Sequence, residues 1–436
     1  MYCSLHDVKI TEPLTPLWQG GQLSLFLPYL NSFHFFNMPP LTSYAKALQE
    51  LYAVNLRRPA KFGLQNSLRL YEALHRPLDA LPVIHVAGTN GKGSVSLKVS
   101  NVLRAAGIRT GLFISPHISS YRERIQVNGE YISEEEMCSE LEHILDICES
   151  NAIPATFFEL TTALAFQHYR KSQCEAVVLE VGLGGRSDST NVIQPLVSVI
   201  TSIGMDHCKI LGDTIEQIAR EKAGIMKRVV PVLIGPGCPI QVMREEANRS
   251  EARLVPVHDY LSSEERLFDD RSGRSSDIDN LNSDIAYAVV KLLCDEKFLP
   301  GNILGSRIKA ALNRVEVWKA IDIRPPCRFE LQRITHEHGT TEVVFDIAHN
   351  VDAIEALVKK LKSRYQHNKF RVVLGMSADK DVRECLKALL TLTPPAMIHC
   401  TEVLYNTNIV FLIYTIISVL YRLITQERPR RRSCGN

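Results

Sequence analysis

The stretch Val86-Ala-Gly-Thr-Asn-Gly-Lys-Gly-Ser-Val95 constrains the fold more than any other part of the chain. It follows Leu81-Pro-Val-Ile-His-Val-Ala87, a short apolar run that reads as a buried strand bounded by Pro82 and the glycines. It opens Ser94 to Ala106, where Val95, Val99, Val102 and Leu103 share one helical face. Backbone N–H groups at such a strand-to-helix turn point at a phosphate, and the helix dipole adds a favourable field. Lys92 can neutralise β- and γ-phosphates, and the Ser94 hydroxyl can reach Mg²⁺. The string departs from the generic GxxxxGK[ST] pattern, because Val86 replaces its first glycine and Gly93 separates Lys92 from Ser94. The competing reading is a glycine-rich turn with a solvated lysine, which the strand–loop–helix context disfavours.

The same alternation continues. Strands are expected at 110–115, 176–181, 197–203 and 229–234, and helices after Ser133, over Thr156–Tyr169 and over Ile215–Ile225. This order gives a parallel sheet with right-handed crossovers. The expected fold is α/β, with a doubly wound P-loop ATPase domain and a smaller, Rossmann-like C-terminal α/β domain. The divisions expected are an extension over 1–40, the ATP-binding domain over 41–257, a linker and connecting helix over 258–299, the second domain over 300–402, and an apolar then basic tail over 403–436. The Ser-, Asp- and Arg-rich run at 258–280 motivates the linker. The apolar part of the tail, Ile409–Leu420, is shorter than the roughly 20 residues of a spanning helix.

Composition narrows the class of function. Fifty Lys and Arg against 48 Asp and Glu give a net charge of +2, so there is no general attraction to nucleic acid or anionic membrane. Eleven scattered cysteines without a CxxC pair read as reduced thiols, not a disulfide framework. The first forty residues carry no secretory pattern, and a transit peptide would be richer in Arg. A cytoplasmic location is expected, with a mitochondrial one as the second reading.

The string Gly88-Thr-Asn-Gly-Lys-Gly-Ser94 resembles the folylpolyglutamate synthase and dihydrofolate synthase family, within the Mur-ligase-like group of ATP-dependent amide ligases. Further matching strings follow in order: Lys61-Phe-Gly-Leu-Gln-Asn66, Ser115-Pro-His117 with Arg122-Glu-Arg124, Thr156-Phe-Phe-Glu159, Glu180-Val-Gly-Leu-Gly-Gly-Arg-Ser-Asp-Ser-Thr-Asn191, Asp206-His207, Leu211-Gly-Asp213 and Glu221-Lys-Ala-Gly224. The resemblance runs from about Tyr44 to about Glu402. It implies that Gly88, Thr89, Asn90, Gly91, Lys92, Gly93 and Ser94 hold ATP. One or two Mg²⁺ ions are expected on Ser94, Ser115, Glu159 and His207. Glu159 lies at an apolar helix start, where a carboxylate is costly unless paired with a cation, and its alternative role is that of an acidic residue at a helix N-terminus. Lys222 lies between Ile218 and Ile225; desolvation lowers a lysine's proton affinity, and a neutral amine can take up CO₂. The matching family lysine is carbamylated, which implies a carbamate on Lys222.

In the second half, the resemblance implies that Asn282 touches the nucleotide base and Arg328 its phosphates. Asp346 and His349, in Phe345-Asp-Ile-Ala-His-Asn350, would face the reacting centre and the incoming glutamate. Cys327 and Ile347 stand where the family has glycine, and a β-branched residue strongly disfavours positive φ. The implied reaction is joining of L-glutamate to a folate or dihydropteroate carboxylate through an acyl phosphate, with Lys92, Lys222, Asp346 and His349 as catalytic residues. Partners are then small molecules, with no nucleic acid or membrane, and a monomer is expected. Two other readings stay open: a truncated, nucleotide-binding form with an incomplete second domain, and a Mur-type ligase acting on another carboxylate.

Overall fold

The structure, a computed structural model, describes residues 42–57, 63–266, 278–336, 339–366, 370–377 and 380–402. The expectations for the 1–40 extension, for Lys61, for residues 267–277 of the polar run and for the 403–436 tail therefore lie outside the described residues. Helices α1 (Ser43–Arg57) and α2 (Gln65–Ala73) precede β1 (Val83–Ala87), α3 (Lys92–Ala105) and β2 (Thr110–Phe113). A hairpin, β3 (Ile125–Val127) and β4 (Glu130–Tyr131), is followed by α4 (Glu134–Ser150), α5 (Phe157–Lys171), β5 (Ala176–Glu180) and β6 (Val197–Ile200). Then come α6 (Cys208–Leu211), α7 (Ile215–Lys222), β7 (Pro231–Ile234), α8 (Ile240–Arg249), β8 (Arg253–Pro256) and α9 (Val257–Tyr260).

These strands form one sheet in the order β4-β3-β2-β5-β1-β6-β7-β8. From β2 to β8 every pairing is parallel, and only the β3–β4 hairpin adds antiparallel edges. β1, β5, β6 and β7 are buried along their whole length, which is why they read as unbroken apolar runs rather than alternating ones. The connections change side at β1, so the loops after β1, β5 and β6 meet at the carboxyl ends of adjacent strands, where open α/β sheets bind ligands. Side chains fix the helix starts: Ser133 with Glu136, Thr156 with Glu159 and Thr214 with Gln217 each form a reciprocal capping box.

The chain continues through α10 (Ile278–Leu293), α11 (Ile303–Ala311) and α12 (Val315–Asp322), then β9 (Glu330–His336), β10 (Gly339–Phe345), α13 (Val351–Arg364), β11 (Val372–Met376), α14 (Val382–Leu390) and β12 (Ile398–Glu402). β9 and β10 pair antiparallel, and β11 and β12 pair parallel. Ile354, Val358, Leu374, Cys385 and Leu389 make a small core for this last part. Residues 278–322 pack elsewhere: Ile285, Val289, Leu293, Leu304, Ile308, Val317 and Ile321 share a core with Ile84, Val95 and Val99 of β1 and α3. The expected linker over 258–299 and a second domain from 300 do not match this packing, and we propose a boundary after α12 instead. Among the described residues no helix is long and apolar enough to cross a membrane.

A buried charge locks α10 and α12 to α3. Lys98 is fully buried; its Nζ lies 2.6 Å from the Ile321 carbonyl oxygen and 3.2 Å from Asp279 Oδ1, whose other oxygen meets Arg324 Nε at 2.8 Å. Burial lowers the Lys98 pKa and Asp279 opposes that shift. Removing one partner of such a pair strands the other, so Lys98→Ala should lower the urea unfolding free energy by about 3 kcal/mol. A loss of less than about 0.5 kcal/mol, the range of ordinary surface substitutions, would show that this pair does not hold the helices.

Candidate active site

The β1–α3 loop has the shape its glycines allow. Gly88 has φ +147°, and a Cβ there would lie 2.0 Å from Thr201 Oγ1. Gly91, with φ +85°, caps α3, and a Cβ would lie 2.3 Å from Asn282 Oδ1. Buried Asn282, on α10, thus packs directly on the loop. The β6 end ties the loop down: Thr89 N donates to Ser202 O at 2.8 Å, Asn90 N to Ser202 Oγ at 3.0 Å, and Thr201 Oγ1 to Asn90 O at 2.6 Å. Lys92 folds back, its Nζ donating to the carbonyls of Gly88 (3.0 Å) and Thr89 (3.1 Å). Ser94 is buried in the first turn of α3.

A carboxylate beside this loop is that of Glu180, at the end of β5. Glu180 is buried, accepts from Ser115 N at 2.8 Å, and its Oε2 lies 3.3 Å from where a Gly93 Cβ would stand. Burial raises its pKa, while Lys92, the Ser115 N–H, Arg328 and Arg124 pull it down. Glu159 instead accepts from Thr156 N at 2.8 Å in the capping box and from Ser67 Oγ at 3.0 Å, facing α2. Glu159, expected with Ser115 and His207 at a metal ion, thus has its carboxylate engaged by the capping box and by Ser67. Among the described residues no three His, Cys, Asp or Glu side chains form a cage for a metal ion. Glu180 with the hydroxyls of Ser94 and Ser115 nonetheless suits magnesium, which takes one or two protein carboxylates and completes its shell with water and phosphate. Nearby, Arg124 Nε donates to His117 Nδ1 at 2.8 Å, and burial together with Arg124 pulls the His117 pKa down to about 3.

Asp206, after β6, gathers the residues of the second half. It accepts from Lys380 Nζ at 2.7 Å and from Asn350 Nδ2 at 3.3 Å, and His349 Nε2 lies at 3.7 Å. Burial would raise its pKa, but the Lys380 bond, the charges of His207 and Lys380, and Asn350 outweigh burial and hold it at about 2. His207, at φ +52°, brings its Nε2 to 3.0 Å from Lys380 Nζ. Asp206, next to His207 in the chain, and Glu180 both act electrostatically on Lys92, so all three charges belong to one neighbourhood.

Asp346 accepts from Phe329 N and Ala348 N, each at 2.8 Å, and its charge acts on Arg328. Among the described residues the buried Arg328 Nη1 has no hydrogen-bond partner. Backbone strain lies at Cys327 (φ +53°) and Phe329 (φ +52°), on either side of Arg328. Ile347 does not adopt positive φ, so the conflict expected from its β-branched side chain does not arise. Burial lowers the His349 pKa below the ordinary histidine value, favouring neutral imidazole.

Lys222 is 4% exposed, which excludes a snorkelling surface lysine. Its Nζ donates to Gly88 O at 3.0 Å, the carbonyl that Lys92 also uses. Burial, then the charges of Lys92 and Lys380, against Asp206 and Asp188, bring its pKa to about 7. Four cations therefore converge on this cleft: Lys92, Lys222, Arg328 and Lys380. Sequence reasoning passed over Glu180, Asp206, Asn350 and Lys380. A charge ending a buried strand marks Glu180; Lys380, a lone loop lysine, carries no comparable signal.

The Lys222 shift has a pH signature. Its folded-state pKa of about 7 lies below the unfolded value of about 10.4, so between them the unfolded chain binds more protons and stability rises with pH. In CO₂-free buffer, the stability of the native chain relative to Lys222→Met should climb by up to about 1.4 kcal/mol per pH unit from about pH 7 to pH 10. A pH-independent difference would show that Lys222 keeps an ordinary ammonium.

Residues 86–257 match the Mur ligase middle domain, and residues 328–397 match the Mur ligase, glutamate ligase domain. Dihydrofolate synthase/folylpolyglutamate synthase of Bacillus subtilis (strain 168) is 33% identical over 375 residues, covering 80% of this chain and 84% of its own. The structure of E. coli FolC in complex with DHPP and ADP superposes with a TM-score of 0.66 at 28% identity, over 80% of this chain and 81% of that one. A bifunctional folylpolyglutamate synthase/dihydrofolate synthase with Mn, AMPPNP and L-glutamate bound gives a TM-score of 0.66 at 30% identity, over 81% of this chain and 82% of that one. The chain belongs to the folylpolyglutamate synthase and dihydrofolate synthase family of ATP-dependent, Mur-type ligases.

Proposed function

We propose that this cleft joins L-glutamate to the carboxylate of a folate or dihydropteroate at the expense of ATP. The observation that carries the reading is the convergence of Lys92, Lys222, Arg328 and Lys380, from both halves of the chain, around buried Glu180 and Asp206. A polyanion is the ligand such a surplus of positive charge calls for, and the unpartnered Arg328 Nη1 is a donor ready for a phosphate oxygen. Related structures holding ADP with DHPP, and AMPPNP with L-glutamate and Mn, support the same ligand classes.

A carboxylate oxygen of the acceptor attacks the γ-phosphorus, and the bond to ADP breaks. The α-amine of glutamate then attacks the acyl carbon, phosphate leaves, and the nitrogen loses a proton. Loop 88–94 and Lys92 hold the phosphates, Asn282 lies beside the loop where a base would reach it, and Arg328 takes phosphate charge. Such chemistry asks the protein mainly for positioning and charge stabilisation. Neutral His349 is suited to accept the amine proton, with Asp206 nearby to stabilise the imidazolium. Asp346, both oxygens bound to backbone N–H groups, serves by shaping the Arg328 segment. Glu180, Ser94, Ser115 and His207 would hold Mg²⁺, which when bound offsets charge on the transferring phosphoryl group. Lys222, with its amine near neutrality at pH 7, is the group for a carbamate, which would relieve the like-charge pair at the Gly88 carbonyl.

The test is glutamylated product formed from ATP, glutamate and dihydropteroate or tetrahydrofolate. Lys92→Ala should cut kcat/KM on the order of 10³-fold. Glu180→Gln should weaken Mn²⁺ affinity and turnover on the order of 10-fold or more, whereas Glu159→Gln should cost stability and leave Mn²⁺ affinity unchanged. Phosphate release without product would refute the ligase reading, and the reverse order of the two glutamate variants would refute the metal assignment.

Lys222→Ala should lose turnover and recover part of it with added acetate or another short carboxylate. Full activity without any carboxylate would discard the carbamate.

A further inference from the structure

The phosphate loop and the loop carrying His349 are joined by one pair of amides. Asn350 Nδ2 donates to Asn90 Oδ1 at 3.0 Å, and Asn90 Nδ2 donates to Asn350 Oδ1 at 3.2 Å, across 260 residues of sequence. The second Asn350 donor bond goes to Asp206 Oδ2 at 3.3 Å, and Oδ1 also accepts from Ala353 N at 3.0 Å as the N-cap of α13. An asparagine amide offers two donor hydrogens and two lone pairs, and here every one is used in a side chain only 4% exposed. Asn90 is equally fixed from its own side, since its backbone N–H and C=O are held by the hydroxyls of Ser202 and Thr201. The loop after β6 also comes close to α13, where a Cβ on Gly204 would lie 2.0 Å from Asp352 Oδ2.

A cap alone would need only Oδ1 and the Ala353 N–H. The reciprocal amide pair adds a connection between the segment that would grip ATP and the residue directly after His349. We infer that Asn350 is a positioning residue: through Asn90 it makes the placement of His349 depend on what occupies loop 88–94. This rests on the reading above, in which that loop takes the nucleotide and His349 faces the glutamate amine. Asn350 itself is not required to touch a substrate, and the part of Asn90 used here is the side-chain amide that pairs with Asn350.

Serine caps a helix about as well as asparagine but is too short to span to Asn90, so Asn350→Ser removes the bridge and keeps the cap. We expect Asn350→Ser to stay folded, with a denaturant midpoint lowered by the lost side-chain bonds, and to bind ADP within about twofold of wild type. Its kcat at saturating ATP and acceptor should fall on the order of 10- to 100-fold, as misplacement of a reacting group does. Asn90→Ala should fall similarly, and the double variant should be no slower than the slower single one. Wild-type kcat in Asn350→Ser, or losses that multiply in the double variant, would overturn the inference. Hydrogen exchange decides it independently of turnover: AMPPNP should protect amides around 347–354 in the wild type and not in Asn350→Ser. Equal protection in both would overturn the coupling. Absence of glutamylated product from the wild-type protein would count against the ligase reading alone, leaving the exchange comparison to judge Asn350.

Discussion

Asp206 is the group on which the charge balance of the cleft turns. A carboxylate this buried would ordinarily prefer its proton, yet Lys380, His207 and Asn350 keep it ionised, at a pKa of about 2. Its negative charge, with that of Glu180, offsets the charges of Lys92, Lys222 and Lys380 gathered around one loop. It is also the point at which the second half of the chain grips the first, through Lys380 and Asn350. Loss of Asp206 would leave like charges facing one another in a low-dielectric cleft and remove the anchor of the 346–350 segment, so electrostatics and architecture depend on the same side chain.

The large sheet explains why these residues meet. Parallel strands buried on both faces leave charged side chains to their ends, and the change of connection side at β1 puts the ends of β1, β5 and β6 together. Loop 88–94, Glu180 and the Asp206-His207 pair are what follow, or end, those three strands. A second unit then needs only a few contacts to complete the site: Arg328 from the segment before β9, Asn350 at the start of α13, and Lys380 after β11.

Much of this was legible in the chain, and the exceptions have physical reasons. The β1–loop–α3 unit is visible because apolar runs and glycines at fixed offsets permit few alternatives, and α4 is visible through Ser133 and the glutamates after it. Glu159 carries two signals, because a carboxylate on an apolar helix start suits a cation while Thr156 three residues earlier spells a capping box, and the structure shows the box. Glu180 escaped because its string reads as a glycine loop, although a charge closing a buried strand was the signal. Cys327 and Ile347 both stand at glycine positions of the family, and only the backbone shows that the strain falls on Cys327. Residues 278–322 misled for another reason: the polar run before them resembles a linker, whereas their apolar faces belong to the core of the first sheet. Lys380 and Asn350 acquire meaning only from partners far away in sequence.

The most direct measurement is a crystal structure of this chain with AMPPNP and Mn²⁺. The account predicts the triphosphate on loop 88–94 against Lys92, with Arg328 Nη1 on a phosphate oxygen and the Glu180 carboxylate on the ion. Phosphates bound away from that loop, or an ion held by Glu159 with Glu180 left aside, would contradict it.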